Sequence, residues 1–414
     1  MSMIRDSSLA GEGIKKIEWV KDYMPVLTEI KKRFKKQKPF AGMKISISIH
    51  LEAKTAYFSQ VLAAGGAEVA VTGSNVLSTK DDICAGLDSL GYHVYAWHNA
   101  TETEYMEHLK KTLEFCPDII VDDGGDFVSL LHGECKPYAK NLIGGSEETT
   151  TGLNRLRARI KMNALNFPMM AVNDADSKHL FDNVHGTGQS VWDAIMNTTN
   201  IMLTGKIAVV AGYGFCGKGV AMRAKGLGAR VIITEINPFR ALEAAMDGFE
   251  VLPMLEAAPL GDFFVTVTGC KDVITKQHFN LMKNNAVLSN AGHFDVEFNK
   301  NHLKDMAVKI ERRKNFIDGY YLHDGRVLNV LADGRLVNIA AGNGHPADIM
   351  DMSFAIQAMS AEYLAKHGGA LTPGLYNVPE AIDLEIARMK AESMGIALDA
   401  LTPEQEAYFY GAGD

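Results

Sequence analysis

Side chains able to carry acid–base chemistry gather at a few points of the chain, mostly where a short apolar run ends. His50 follows Lys44 to Ile49, Asp122 and Asp123 follow Ile119 to Val121, and Glu147 and Glu148 stand directly before Thr149, Thr150 and Thr151. Asp174, Lys178, Asp182 and Asn183 form a further group. Imidazole, carboxylate and amine are the groups that move protons to and from a reacting centre. Each also has an ordinary alternative. Lys178 and Asp182, an i,i+4 pair, share a helix face and would equally make a solvated surface bridge. His50 fits a hydrogen-bonded core edge, and Asp122-Asp123-Gly124-Gly125-Asp126 fits a turn with solvated carboxylates. A metal reading of the carboxylates lacks support, because no His or Glu pair has zinc-like spacing.

The second chemical signature is a glycine-rich turn. Ala208-Val209-Val210-Ala211 leads into Gly212-Tyr213-Gly214-Phe215-Cys216-Gly217-Lys218-Gly219, an apolar strand, then Gly-x-Gly-x-x-Gly, then small helical residues. Gly212 permits the tight turn, Gly214 lets the backbone approach a pyrophosphate, and Gly217 lets helix and strand pack closely. The helix N-terminus then offers unpaired N–H groups to the anion. Glu235, ending the next apolar run, would accept from ribose hydroxyls and repel a 2′-phosphate, which selects NAD over NADP. Such turns also occur in sheets that bind nothing, but strand, turn, helix and acidic strand end together point to NAD. Cys216, at a variable position beside Phe215, reads as packing.

For these residues to meet, the chain must bring several strand ends together. After a charged helical opening from Ile17 to Lys36, strand-like runs at Lys44 to Ile49, Ala67 to Thr72, His93 to Trp97 and Ile119 to Val121 alternate with helical ones at Glu52 to Ala64, Asp81 to Leu90 and Glu102 to Glu114. A second series runs through Ile207 to Val210, Val231 to Thr234, Phe264 to Thr268, Ala286 to Leu288 and Phe316 to Gly319. Regular alternation predicts an α/β fold with parallel sheets covered by helices on both faces. Ligands of such sheets sit beyond the carboxyl ends of the strands, where the polar clusters fall. The reading is of two doubly wound, Rossmann-like domains joined near residues 175–200, with a short C-terminal extension. That extension carries Pro373, Pro379 and Pro403 around a helix from Glu380 to Met394 and reads as an appendage.

Composition excludes several functions. With Lys+Arg 42 against Asp+Glu 50, the net charge of -8 supplies no concentrated basic surface for nucleic acid. The five cysteines (Cys84, Cys116, Cys135, Cys216 and Cys270) are odd in number and never form Cys-x-x-Cys, which argues against a disulfide framework or a zinc site and fits a reducing cytoplasm. No apolar run reaches signal-peptide or membrane-spanning length, so neither export nor a membrane span is expected.

Taken together, the motifs resemble S-adenosyl-L-homocysteine hydrolase. The resemblance rests on Ser74-Asn75 with Ser78-Thr79, Tyr95-Ala96-Trp97, Asp122 to Asp126, Ser146-Glu147-Glu148-Thr149-Thr150-Thr151-Gly152, Phe181-Asp182-Asn183, the glycine turn, Thr234-Glu235-Ile236-Asn237-Pro238, Asn290-Ala291-Gly292-His293-Phe294-Asp295-Val296-Glu297, Gly334-Arg335-Leu336-Val337-Asn338 and Gly344-His345-Pro346. It implies reversible hydrolysis of a nucleosyl-homocysteine thioether, with NAD, one tightly bound per subunit, transiently oxidising the ribose 3′-hydroxyl. Carried over position by position, it implies that Lys178 handles the 3′-hydroxyl proton with Asp182, its pKa needing to be lowered, as burial beside a second cation or the oxidised nicotinamide could do. Asp123 and His50 would act at the 4′ and 5′ carbons, and Glu148 would bind a ribose hydroxyl. His293 and His345 would meet the cofactor and the homocysteine end. Cofactor contacts would come from Thr149, Thr150, Thr151, Asn183, Gly212, Gly214, Phe215, Cys216, Gly217, Lys218, Gly219, Glu235, Arg240, Ala291, Gly292 and Asn338, and Asn75 would join the substrate side. The implied division is residues 1–182 with 346–375 for substrate, 183–345 for NAD, and 376–414 for assembly into a homotetramer.

Two departures stand out. Relatives that take adenosine carry His-x-Thr-x-Glu or His-x-Thr-x-Gln, the last side chain accepting from the exocyclic amine. Here the segment is His50-Leu51-Glu52-Ala53-Lys54. A charged lysine only donates, which suits a 6-oxo group, while Glu52 would accept from the ring N–H of hypoxanthine. The swap predicts S-inosyl-L-homocysteine as preferred substrate; the alternative is that Lys54 and Glu52 pair with each other and leave the base to the backbone. The second departure is the end, Gly411-Ala412-Gly413-Asp414, without the Lys and Tyr tail of many relatives. An NAD-dependent 2-hydroxyacid dehydrogenase and a non-catalytic NAD-binding regulator stay open as rival readings. Neither accounts for Glu148, Lys178 and Asp182 together.

Overall fold

Short runs of aliphatic residues bounded by glycines and polar turns build two separate sheets in this computed structural model, which describes residues 2–411. The first holds β1 (Lys44–Ile49), β2 (Glu68–Gly73), β3 (His93–Val94), β4 (Ile119–Asp122), β5 (Gly144–Glu147) and β6 (Pro168–Ala171). The second holds β7 (Ile207–Ala211), β8 (Arg230–Thr234), β9 (Glu250–Val251), β10 (Phe263–Thr266), β11 (Val287–Asn290), β12 (Ala307–Lys314), β13 (Ile317–Leu322) and β14 (Val327–Leu331). A last strand, β15 (Gly374–Asn377), returns to the first sheet beside β6.

The orders are β15-β6-β5-β4-β1-β2-β3 and β12-β13-β14-β11-β10-β7-β8-β9. All pairings in the first sheet are parallel; in the second, β13 alone is reversed, pairing antiparallel with both β12 and β14. In each sheet the chain works outward from its first strand, then jumps back to that strand's other side. The reversals fall between β1 and β4 and between β7 and β10. Connections leave on opposite faces there, which opens a crevice beyond the strand ends. The α/β, doubly wound architecture expected from the alternation is what forms.

Each sheet is covered by its own apolar core. The long helix Ala347–His367 follows the second sheet in the chain yet packs on the first, where Phe354 stacks on Phe58 with ring centroids 5.0 Å apart. Burying side chains of this size contributes about 1.5–3 kcal/mol each.

Several boundaries differ from the sequence reading. The opening helix is two, Ala10–Lys21 and Pro25–Gln37, because Pro25 cannot donate into a preceding turn and keeps Met24 out of helical geometry. The strand expected from Phe316 begins at Ile317, since Phe316 sits in a left-handed turn. The C-terminal extension is not an appendage as far as Ser393. β15 completes the first sheet, and the helix Glu380–Ser393 buries Ile386, accepts the N–H groups of Asp176 and Ser177 on Asp383, and bonds Asp351 through Lys390 at 3.0 Å. Of the expected C-terminal run, Ala412, Gly413 and Asp414 lie outside the described residues. All five cysteines are unpaired. Among the described residues no helix is long and apolar enough to cross a membrane.

Candidate active site

The two reversal points face each other across one cavity of about 740 Å³. The ends of the first sheet supply His50, Asp123 and Glu148, and the segment crossing between the sheets supplies Lys178, Asp182 and Asn183. The second sheet and the loops after it supply Gly214, Thr268, Ala291, His293, Asn338 and His345.

Across the first reversal point, β1 and β4 bring His50 and Asp123 together, Nε2 to Oδ2 at 3.5 Å. The other ring nitrogen of His50 lies 2.8 Å from Ser78 Oγ, whose hydroxyl donates to the Asn75 carbonyl. One ring nitrogen is thus held against a hydroxyl and the other, Nε2, is aimed at the Asp123 carboxylate. Ser74 donates to Asp123 Oδ2 at 2.7 Å. Burial lowers the imidazole pKa of His50 although Asp123 opposes it, so the ring is a neutral base. His293 comes over the same turn from the other sheet: a Cβ on Gly124, which holds φ +100, would lie 2.8 Å from its Nε2.

Lys178 and Asp182 sit where the helix widens. Residues His179–Gly186 form a π-helix, a geometry frequent at functional sites. The wider turn brings both following side chains to one amine: Lys178 Nζ lies 3.4 Å from Asp182 Oδ2 and donates to Asn183 Oδ1 at 2.8 Å. Asp182 is fixed from two more sides, by Ser353 Oγ at 2.6 Å and His345 Nδ1 at 2.7 Å. Burial would raise the Asp182 carboxyl, but Lys178, His345 and Ser353 outweigh it and hold it below the usual carboxylate range. Burial would likewise lower Lys178, yet Asp182 and Glu148 outweigh it and raise the ammonium pKa. Burial alone therefore does not supply the lowering that the resemblance asks of Lys178, because two buried carboxylates stabilise the charged amine; a second cation or the oxidised nicotinamide would have to supply it.

Neighbouring carboxyls are pushed the other way. Burial, moderated by Lys178, raises Glu148 to about 7, and burial raises Asp122 to about 7 despite the Val128 N–H it accepts. Glu147 is raised well above its ordinary value by burial and by Asp122 and Asp123; its Oε1 accepts the N–H groups of Gly124 and Thr149, so it shapes the turns carrying Asp123 and Glu148.

The nucleotide side has the features that fit a dinucleotide. Gly212 adopts φ +103, and a Cβ on Gly217 would lie 2.0 Å from the Gly212 carbonyl, so neither position accepts a side chain. Glu235 Oε2 accepts from Tyr213 N–H at 2.7 Å, and Oε1 from Ile236 and Asn237 at 2.7 and 2.9 Å. Burial opposes them, but these N–H groups keep its carboxyl below the ordinary value. Asn338 lines the cavity, donates to Ser190 Oγ at 3.0 Å and has a buried, unpartnered Oδ1, which a carboxamide N–H would satisfy.

Of the residues singled out, His50, Glu52, Lys54, Asp123, Glu148, Thr149, Thr150, Thr151, Lys178, Asp182, Asn183, Gly214, Phe215, Cys216, Arg240, Ala291, Gly292, His293, Asn338 and His345 line the cavity. Asn75, Gly212, Gly217, Lys218, Gly219 and Glu235 do not. Asn75 caps its own turn, Lys218 bonds Glu243 and Asp247 on the surface, and Gly219 packs on the Val184 backbone. Sequence reasoning missed Ser353 and Gln357, an i,i+4 polar pair among the buried residues of the helix Ala347–His367. Gln357 donates to Glu148 Oε2 and accepts from Ser146 Oγ. That polar interruption at helical spacing was the available signal.

Comparison with known proteins agrees with this arrangement. Residues 183–344 match the family model described as the S-adenosyl-L-homocysteine hydrolase NAD binding domain, and residues 2–141 match S-adenosyl-L-homocysteine hydrolase. Over 408 residues, 99% of this chain and 98% of the relative, it is 53% identical to an S-inosyl-L-homocysteine hydrolase of Methanocaldococcus jannaschii. It is 52% identical to another from Methanopyrus kandleri, covering 98% of this chain and 96% of the relative. It is also 52% identical to an adenosylhomocysteinase of Pyrococcus abyssi, at the same coverage of 98% and 96%. Global identity therefore does not separate the inosyl from the adenosyl relatives.

Proposed function

The chain belongs to the S-adenosyl-L-homocysteine hydrolase family, and from that premise we propose that its preferred substrate is S-inosyl-L-homocysteine. It is an NAD-containing hydrolase of the S-nucleosyl-L-homocysteine thioether. Bound NAD would supply reversible hydride transfer at the ribose 3′ carbon, a temporary oxidation that would acidify the 4′ C–H and consume no net redox equivalent.

The protein's residues then divide the proton transfers. Lys178, held between Asp182 and Asn183, takes the 3′-hydroxyl proton, and Asp182, kept ionised by its three partners, holds the amine in place. The cationic nicotinamide is the charge that would offset the two carboxylates and bring Lys178 toward a basic amine. His50, neutral and facing Asp123, serves the 4′ and 5′ carbons. Glu148, with its pKa near 7, both donates to and accepts from a ribose hydroxyl. His293 and His345 close the site from the other sheet, and Thr149, Thr150, Thr151, Arg240 and Asn338 hold the cofactor, one per subunit. In this reading residues 1–182 with 346–375 bind substrate, 183–345 bind NAD, and 376–414 join subunits of a homotetramer. Five unpaired cysteines support a reducing, cytoplasmic setting.

The observation that carries the base preference is Lys54. It is buried at the cavity, and its ammonium lies 2.8 Å from Glu52 Oε2. Donor and acceptor side by side match the C=O and N–H of a 6-oxopurine, and a lysine at the 6-position has no acceptor for an exocyclic amine. The wrong base leaves a buried polar group unpaired at about 1–3 kcal/mol, roughly a ten- to hundredfold preference. The same ion pair favours a second reading, in which Lys54 and Glu52 satisfy each other and the base is held by backbone. Steady-state kcat/KM for both thioethers decides: higher values for the inosyl compound support the first, and equal or better turnover of the adenosyl compound defeats it.

A further inference from the structure

One buried cation touches both walls of the cavity. Lys54 stands on the helix Ala53–Ala64 that follows β1, and besides pairing with Glu52 its Nζ donates to the backbone carbonyl of Asn343 at 3.3 Å. Asn343 belongs to the turn Gly342-Asn343-Gly344-His345, which joins the second sheet's last short helix to the long helix Ala347–His367. The turn is tight. Gly344 holds φ +69 and donates its N–H to the Asn338 carbonyl at 2.9 Å, and a Cβ on Gly342 would lie 2.6 Å from that same carbonyl. Its far end carries His345, bonded to Asp182 at 2.7 Å and to Thr187 at 3.3 Å. Lys54 thus grips one end of a four-residue turn whose other end orients the carboxylate beside Lys178.

We propose that Lys54 is a positioning residue for ribose oxidation as well as a reader of the base: its bond to the Asn343 carbonyl seats the 342–345 turn, and through His345 it sets Asp182. An ammonium has three N–H donors. Glu52 and Asn343 take two, and the third goes to the 6-oxo group of the bound purine. A glutamate at this position would face the Asn343 carbonyl with no donor, so the base-reading side chain and the seating of the turn change together. This rests on the reading in which Lys54 faces the base, but the two are separable, because base choice appears as a ratio between substrates and positioning as a rate shared by both.

The test uses the NAD-containing protein and follows reduced-nicotinamide absorbance after rapid mixing with saturating inosine or adenosine. Lys54→Met keeps the aliphatic stem and removes every donor; Lys54→Arg keeps donors. The expected result is a roughly ten- to hundredfold fall in the oxidation rate at saturation for both nucleosides in Lys54→Met, partly recovered in Lys54→Arg. Hydrogen exchange in the peptide covering residues 342–345 should rise in Lys54→Met and stay near wild type in Lys54→Arg, with bound NAD unchanged. A raised KM with the saturated rate and the exchange of 342–345 both unchanged overturns the positioning role. A change only in the inosine-to-adenosine ratio also overturns it while leaving the base preference standing. If Lys54→Met loses its NAD, the exchange and rate of Lys54→Leu, which also lacks every donor, decide by the same criteria.

Discussion

The most informative residues are a buried amine and the carboxylates around it. Lys178 is charged in the protein because Asp182 and Glu148 outweigh burial, so in the proposed role of base it would need the charge brought by the cofactor. Lys178→Met or Asp182→Asn should lower the oxidation step by about 100- to 10,000-fold, measured as reduced-nicotinamide formation from a free nucleoside. The two losses should not add, since the residues act as one unit. Glu148 makes a second prediction. Its pKa rises from the ordinary 4.5 to about 7 on folding. Between those values the folded protein holds a proton that the unfolded chain has lost. The stabilisation is therefore full below the lower value and disappears as pH rises through the upper one. Urea unfolding should show stability falling from about pH 5 to about pH 8 on this account, and Glu148→Gln should make that fall shallower. An unchanged slope would mean that Glu148 titrates normally.

At the scale of elements, the turns after β1, β4, β5 and β7 do the positioning. Gly217→Ala would set a Cβ 2.0 Å from the Gly212 carbonyl, so the helix Phe215–Gly226 must move off β7. The expected result is a loss of about 1–3 kcal/mol in stability and a larger release of NAD, read by thermal melting and by cofactor content after gel filtration. This turn was fully legible in the sequence, because each glycine answers a local demand. So were β1, β2, β4 and the strand ends bearing His50 and Asp123, because β1 places an isoleucine at every second position and β2 and β4 carry short aliphatic runs. The less regular strands were not. β5 opens with Gly144 and Gly145, and β12 is an edge strand whose residues are almost all exposed, so neither shows the apolar signature of a buried strand, while the short apolar β6 opens on Pro168, which argues against a central strand. Ser353 and Gln357 escaped for another reason: they reach Asp182 and Glu148 only because the long helix returns to the first sheet, a tertiary event that local pattern does not encode. The part Glu148 plays in holding Lys178 charged was illegible likewise, since Glu148 comes from a different strand end.

The whole molecule places two strand-order reversals opposite each other with one cavity between them. One side carries proton-transfer groups and the other a nucleotide-binding turn, so the ribose of a bound nucleoside would lie between an acid–base set and a hydride acceptor. From this follows a stoichiometric prediction: purified protein should turn over its thioether without added NAD and without net formation of reduced cofactor, whereas a 2-hydroxyacid dehydrogenase would consume NAD in step with product. Rapid mixing with S-inosyl-L-homocysteine should give a transient of reduced nicotinamide that decays as inosine is released. The most direct test removes the hydroxyl on which that cycle depends. With 3′-deoxy-S-inosyl-L-homocysteine, which has no 3′-hydroxyl to oxidise, the protein should bind the analogue competitively yet release no homocysteine; release at a rate near that of the parent thioether would contradict oxidation as the source of catalysis.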